Sequence, residues 1–223
     1  MTRNLKGCLL VLALAWVGFA AQGVCQTEIP GDHYAYEGDV LPADHTPAIV
    51  DNTGTPSKCS TDGDILTLTD MAKNNQLRFT TAFAPANFTS GTMTMEMRVR
   101  VTSGVMFFIA GTSNRSFQFT ISPSGVAFAA RINPTGAIVT DFTQFRRLRI
   151  VVENGQLSAY VQDESNFIQG ADITGAAFPA VDFYANHATE LTNCQLDYIR
   201  STTQVIHPEQ WWLPVELNSF LLE

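Results

Sequence analysis

Within "TMTMEMRVRV" (92–101), Glu96 is followed at the next two alternate positions by Arg98 and Arg100. Met93, Met95, Met97, Val99 and Val101 form one face of a period-two pattern, and Thr94, Glu96, Arg98 and Arg100 form the other. Such alternation belongs to a strand with one face on a core. The polar face therefore carries a carboxylate beside guanidiniums. Three roles fit those residue types: a catalytic carboxylate, a sugar-binding group, or a solvated surface residue.

The arginines extend beyond this strand. Arg98, Arg100, Arg115, Arg131, Arg146, Arg147 and Arg149 fall in 52 residues that contain one acid, Asp141, a local charge of +6 in a chain whose net charge is −8. By parity Arg98, Arg100, Arg131, Arg147 and Arg149 point away from the core. On one sheet they would make a basic face suited to carboxylate or sulfate groups, which guanidinium forks bind in bidentate fashion. Tyr160 would add a flat ring next to Arg149. This predicts binding to anionic polysaccharide that weakens with salt. The alternative is that the arginines pair with acids from the chain termini. Other reactive arrangements are missing: His33, His45, His187 and His207 lie far apart, and no G-x-S-x-G elbow occurs.

These residues must be positioned by short strands. "ILTLT" (65–69), "VMFFIAG" (105–111), "SFQFTIS" (116–122), "GVAFAARI" (125–132), "RLRIVV" (147–152), "QLSAYVQ" (156–162), "AVDFYA" (180–185) and "CQLDYIRS" (194–201) accompany the opening stretch. Gly, Pro, Asn and Asp separate them, as in "SPSG" and "NPTG". Many short strands without an amphipathic helix predict an all-β sandwich or barrel. Asn154-Gly155 suits a two-residue type I′ turn. That turn sets Val152 opposite Leu157, Ile150 opposite Ala159, Leu148 opposite Val161, and Arg149 opposite Tyr160.

The N-terminus reads as a secretory signal peptide over residues 1–23: Arg3 and Lys6, an apolar stretch from Cys8 to Ala20, then small residues. That stretch is shorter than the roughly 20 residues a membrane span needs. No later segment is a span candidate, so the expectation is an exported product, extracellular or, in a bacterium, periplasmic. Without Arg3 and Lys6 the remaining chain is more acidic still, which argues against nucleic-acid binding. A lead (24–32), a sandwich (33–202) and a C-terminal tail (203–223) follow. The tail contains Trp211 and Trp212 and is apolar enough to pack on the sandwich or a partner. Cys25, Cys59 and Cys194 remain in an oxidising compartment, an odd count that allows one pair at most.

"YEGDVLP", "TDGDILTLTD", "GTMTMEMRVRV", "RLRIVVENGQLSAYVQD" and "CQLDYIRST", in that order, resemble the concanavalin A-like superfamily of laminin-G-like modules, legume lectins and β-glucanases. The resemblance implies a two-sheet antiparallel jelly roll with little or no helix. Its glucanases carry two Glu and a helper Asp at alternate positions of one strand, and retention needs carboxyls about 5 Å apart. Arg98 and Arg100 occupy those positions after Glu96; if "SFQFTIS" is the equivalent strand, Ser116, Gln118 and Thr120 do. The carboxylate set is absent either way. Glu96 is therefore expected at the surface, paired with a neighbouring arginine for about 0–1 kcal/mol. The resemblance also implies a structural Ca2+ on Asp197 with carbonyls near Gly38 and Gly63. Because first and last strands neighbour each other in this superfamily, it pairs Cys59 with Cys194 in a disulfide. "QVIHPEQ" is similar to a short alginate-lyase motif, without its companion basic and tyrosine motifs. The function expected is a non-catalytic, lectin-like module for a polysaccharide, a glycoconjugate or another extracellular partner. The alternatives are a polysaccharide hydrolase or lyase with an unrecognised site, and a structural envelope or matrix protein.

Overall fold

The computed structural model describes residues 29–30, 34–42, 44–46, 50–52, 58–72, 76–78, 91–111, 115–176, 181–185 and 190–208. The expected signal peptide, Cys25, Trp211 and Trp212 lie outside them. Among the described residues there are sixteen strands and no helix. They are β1 (Tyr34–Tyr36), β2 (Val50–Asn52), β3 (Cys59–Asp62), β4 (Ile65–Met71), β5 (Gln76–Arg78) and β6 (Met93–Ser103). The chain continues through β7 (Met106–Gly111), β8 (Ser116–Ser122), β9 (Gly125–Ala130), β10 (Ile132–Asn133) and β11 (Gly136–Val139). β12 (Arg146–Glu153), β13 (Gln156–Val161), β14 (Phe167–Ile173), β15 (Val181–Ala185) and β16 (Thr192–Thr202) complete it.

Two antiparallel sheets face each other. One has nine strands, in the order β10-β14-β13-β12-β6-β16-β4-β3, with β1 also on β16; the other has seven, β11-β9-β8-β7-β15-β5-β2. β16 is long enough to be shared: β4 pairs with its first half and β1 with Ile199–Ser201, both on the edge opposite β6. Two-sheet closure is what the alternation demanded, because each sheet has one apolar face to cover. Met93, Met95, Met97, Val99 and Val101 of β6 are buried in the interior, as are Leu148, Ile150 and Val152 of β12. From the seven-stranded sheet Phe119 stacks on Phe108 at 4.7 Å and on Phe128 at 5.2 Å. The β12–β13 hairpin has the expected register at all four pairs, with φ of 53° at Asn154 and 80° at Gly155.

Candidate functional site

The outer face of the nine-stranded sheet is built in rows that cross the strands. Register sets Tyr160, Arg149, Glu96 and Arg200 in one row and Arg147, Arg98 and Tyr198 in the next. Glu96 is fully buried. Its Oε2 accepts from Arg149 Nε at 2.7 Å and lies 2.5 Å from Arg149 Nη2. Its Oε1 accepts from the Tyr198 hydroxyl at 2.8 Å and lies 3.6 Å from Arg147 Nε. The surface position expected for Glu96 is thus corrected. Long arginine and tyrosine side chains from β12 and β16 lie over the shorter glutamate and exclude water, as amphipathic stems do. A carboxylate so buried requires charge partners, and two guanidiniums and a phenol supply them.

A β-bulge shapes the next row. Leu196 pairs with Val99 and Tyr198 with Arg98, so Asp197 is the extra residue of β16. An extra residue breaks the alternation, and Asp197 and Tyr198 both reach the outer face. The Asp197 carboxylate accepts from Arg98. Arg200 stacks on the Tyr198 ring at 4.6 Å and binds Glu37 in bidentate fashion, Nε to Oε1 at 2.8 Å and Nη2 to Oε2 at 2.6 Å.

Glu37 follows β1, and the chain there must pass very close to its neighbours. Gly38 has φ 73°, and a Cβ on it would sit 2.6 Å from the Asp64 carbonyl oxygen and 2.7 Å from that of Asp197. Only glycine fits this approach. The loop, the β3–β4 turn and the sheet enclose a cleft of about 510 Å³. Tyr198 and Arg147 are its least exposed lining residues. The Arg98–Asp197 and Arg200–Glu37 pairs are more exposed, with Asp39 and Asp64 beyond them. Four acids against three arginines give the lining a net charge of −1.

Residues 203–208 cover the neighbouring part of the same face. Thr92 and Thr94 donate to the carbonyls of Thr203 and Gln204 at 2.8 and 2.7 Å, and Ile206 N–H donates to Thr94 Oγ1 at 2.9 Å. Val205 packs on Val151 and Tyr160. His207 Nδ1 is 3.1 Å from the Tyr160 hydroxyl.

Of the residues expected to bind an anionic ligand, Arg98, Arg100, Arg147 and Arg149 do share one face. The joint site still does not form. Arg149 is 2% exposed and committed to Glu96. Tyr160 stands opposite Arg149 as expected, yet its ring stacks on Phe167 at 5.7 Å and is capped by His207. Arg131 follows β9 with φ 62° and donates to Ser116 on the seven-stranded sheet, at 2.8 Å. Ser116, Gln118 and Thr120 alternate with the core residues of β8 in that second sheet, so their strand does not share a sheet with Glu96. Parity reasoning missed Glu37, Tyr198 and Arg200, and also Phe145, whose ring lies beneath Arg98 at 4.7 Å and Arg100 at 5.9 Å.

The Cys59–Cys194 disulfide is corrected too. Cys59 and Cys194 are not bonded to each other, and they face Leu68 from opposite sides of β4. Two strand spacings separate them, about 9–10 Å, beyond the roughly 7 Å that a bridge can span. Burial pushes the Cys194 thiol well above the usual thiol range, and nearby Cys59 adds to the shift. Peptide mapping of the denatured, unreduced protein by mass spectrometry should therefore find Cys59 and Cys194 in peptides that are not linked to each other. Recovery of a Cys59–Cys194 linked peptide would contradict this arrangement.

The stretches expected to supply calcium ligands lie side by side. Gly38 does meet Asp197, which brings the two chain ends together as the resemblance implied, and Gly63 lies in the adjoining turn. The Asp197 carboxylate accepts from Arg98, so a calcium ion there would have to share that carboxylate with the guanidinium or displace it. Among the described residues no group of three or more His, Cys, Asp or Glu side chains could hold a metal.

No family model and no curated relative matches the chain. Solved structures do. A Bacillus licheniformis β-glucanase superposes with a TM-score of 0.52 at 11% identity, over 79% of this chain and 100% of the enzyme. A native glycosidic hydrolase gives 0.51 at 10% identity, over 81% and 100%. A Shewanella oneidensis protein of unknown function gives 0.51 at 12% identity, over 77% and 85%. At such identities the likeness is one of fold. The chain adopts a two-sheet antiparallel jelly-roll sandwich, the fold that the resemblance implied.

Proposed function

We propose that this chain is an exported, lectin-like module that binds a neutral glycan in the cleft beside Tyr198 and does not cleave it. One observation carries the reading: the cleft is lined by guanidinium–carboxylate pairs. Sugar hydroxyls donate and accept at once, and such pairs offer both functions side by side. The lining charge of −1 favours a neutral ligand over the polyanion expected from the arginine count. Export is supported by the N-terminal pattern of Arg3, Lys6 and the apolar stretch behind them. Absence of catalysis is supported by the state of the two carboxylates beside Tyr198. Glu96 is sealed beneath Arg149 and Tyr198, and Asp197 is neutralised by Arg98. Neither is placed to donate a proton to a glycosidic oxygen in the cleft.

Calorimetric titration with a mixed-linkage β-glucan hexasaccharide and with an alginate hexasaccharide tests the reading. The glucan should bind more tightly, and Arg147→Ala should weaken it about tenfold, the cost of losing a charge-assisted hydrogen bond. New reducing ends accumulating during the titration would establish the hydrolase alternative. Tighter binding of alginate would restore the anionic ligand.

A further inference from the structure

We infer that Glu96 is a positioning residue for the cleft: it meets no ligand itself but fixes the two least exposed groups of the lining. This rests on the glycan reading of the cleft. Glu96 and Arg149 are buried behind the lining, whereas Tyr198 and Arg147 belong to it. The two oxygens of Glu96 divide the work. Oε2 takes Arg149 through two nitrogens, at 2.7 and 2.5 Å, which anchors the carboxylate to β12. Oε1 accepts the Tyr198 hydroxyl at 2.8 Å and stands 3.6 Å from Arg147 Nε.

A tyrosine whose hydroxyl is tied inward can turn only its ring toward the cleft. That ring in turn carries Arg200 at 4.6 Å, and Arg200 holds Glu37. Contacts thus run without a gap from Arg149, buried on the outer face of the sheet, to Glu37 at the rim. Glu37 reaches the site by way of the loop around Gly38, so the buried carboxylate also sets where the loop's acid stands. Precision of this kind in a binding site comes from groups behind the lining that lock the rotamers of those in it.

Stability and binding can be separated experimentally. Glu96→Gln keeps the shape and leaves an amide oxygen for the Tyr198 hydroxyl, but strips the charge from between two guanidiniums. Its melting temperature should fall strongly, while the folded protein binds the β-glucan hexasaccharide within about threefold of wild type. The pair replacement Glu96→Leu with Arg149→Leu removes both buried charges together, which folds tolerate far better. Its melting temperature should fall less, yet its affinity for the same hexasaccharide should drop roughly tenfold or more because Tyr198 and Arg147 lose their anchor. That inverse order cannot come from a stability effect alone. Wild-type affinity in the leucine pair, or losses of affinity that simply follow melting temperature, would overturn the positioning role while leaving glycan binding in place. Failure of wild type to bind the hexasaccharide or any glycan on an array would overturn both.

Discussion

Replacing Glu96 with alanine lowers the stability of the fold by about 3–5 kcal/mol. The cost is not that of one hydrogen bond. Arg149, also buried, keeps its charge but loses the carboxylate that receives both its Nε and its Nη2. The Tyr198 hydroxyl loses its acceptor at the same time. Taking the Glu96 carboxylate away from a guanidinium that is itself held from water is among the most costly changes such a site can suffer. Urea denaturation monitored by far-ultraviolet circular dichroism measures the loss directly. A change below about 1 kcal/mol, the range of an exposed pair, would mean that Glu96 faces solvent after all.

Gly38→Ala should be the second large effect, at about 2–4 kcal/mol. Part comes from the left-handed φ of 73°, which disfavours any side chain. The rest comes from overlap: the new methyl would lie 2.6, 2.7 and 2.9 Å from three backbone carbonyl oxygens, and backbone cannot rotate aside. The loop must move outward, carrying Glu37 off Arg200 and widening the cleft. Binding of the β-glucan hexasaccharide should therefore weaken together with melting temperature. At Gly63 φ is 61° but a Cβ would meet nothing within 4 Å, so Gly63→Ala should cost less and leave binding nearly intact. Equal losses at the two glycines would show that the close approach at Gly38 is not what holds the loop.

Legibility in the sequence follows the range of the interactions. The β12–β13 hairpin was readable because a period of two and an Asn-Gly turn specify register within sixteen residues. The sandwich was readable for the same local reason, repeated many times. Glu96 was misread because its surroundings are assembled from afar: Arg149 is 53 residues away and Tyr198 is 102. Pattern alone treats the polar face of a strand as wet, and nothing local reveals that neighbouring strands will roof it. Asp197 and Tyr198 escaped parity because a bulge has no fixed sequence signature. The cysteine pairing failed on topology, since counting thiols cannot reveal that β4 stands between them. β1 has only three residues, too few to display a period.

The central claim is the location of the ligand, and a two-dimensional NMR titration with the β-glucan hexasaccharide tests it most directly. Saturable shifts should appear at the amides and guanidinium Nε–H groups of Arg98, Arg147 and Arg200, and in the loop at Glu37 and Asp39. The β8 amides of Gln118 and Thr120 should stay unmoved, because they belong to the other sheet. Shifts confined to the seven-stranded sheet, or none at saturating hexasaccharide, would contradict a glycan site at Tyr198.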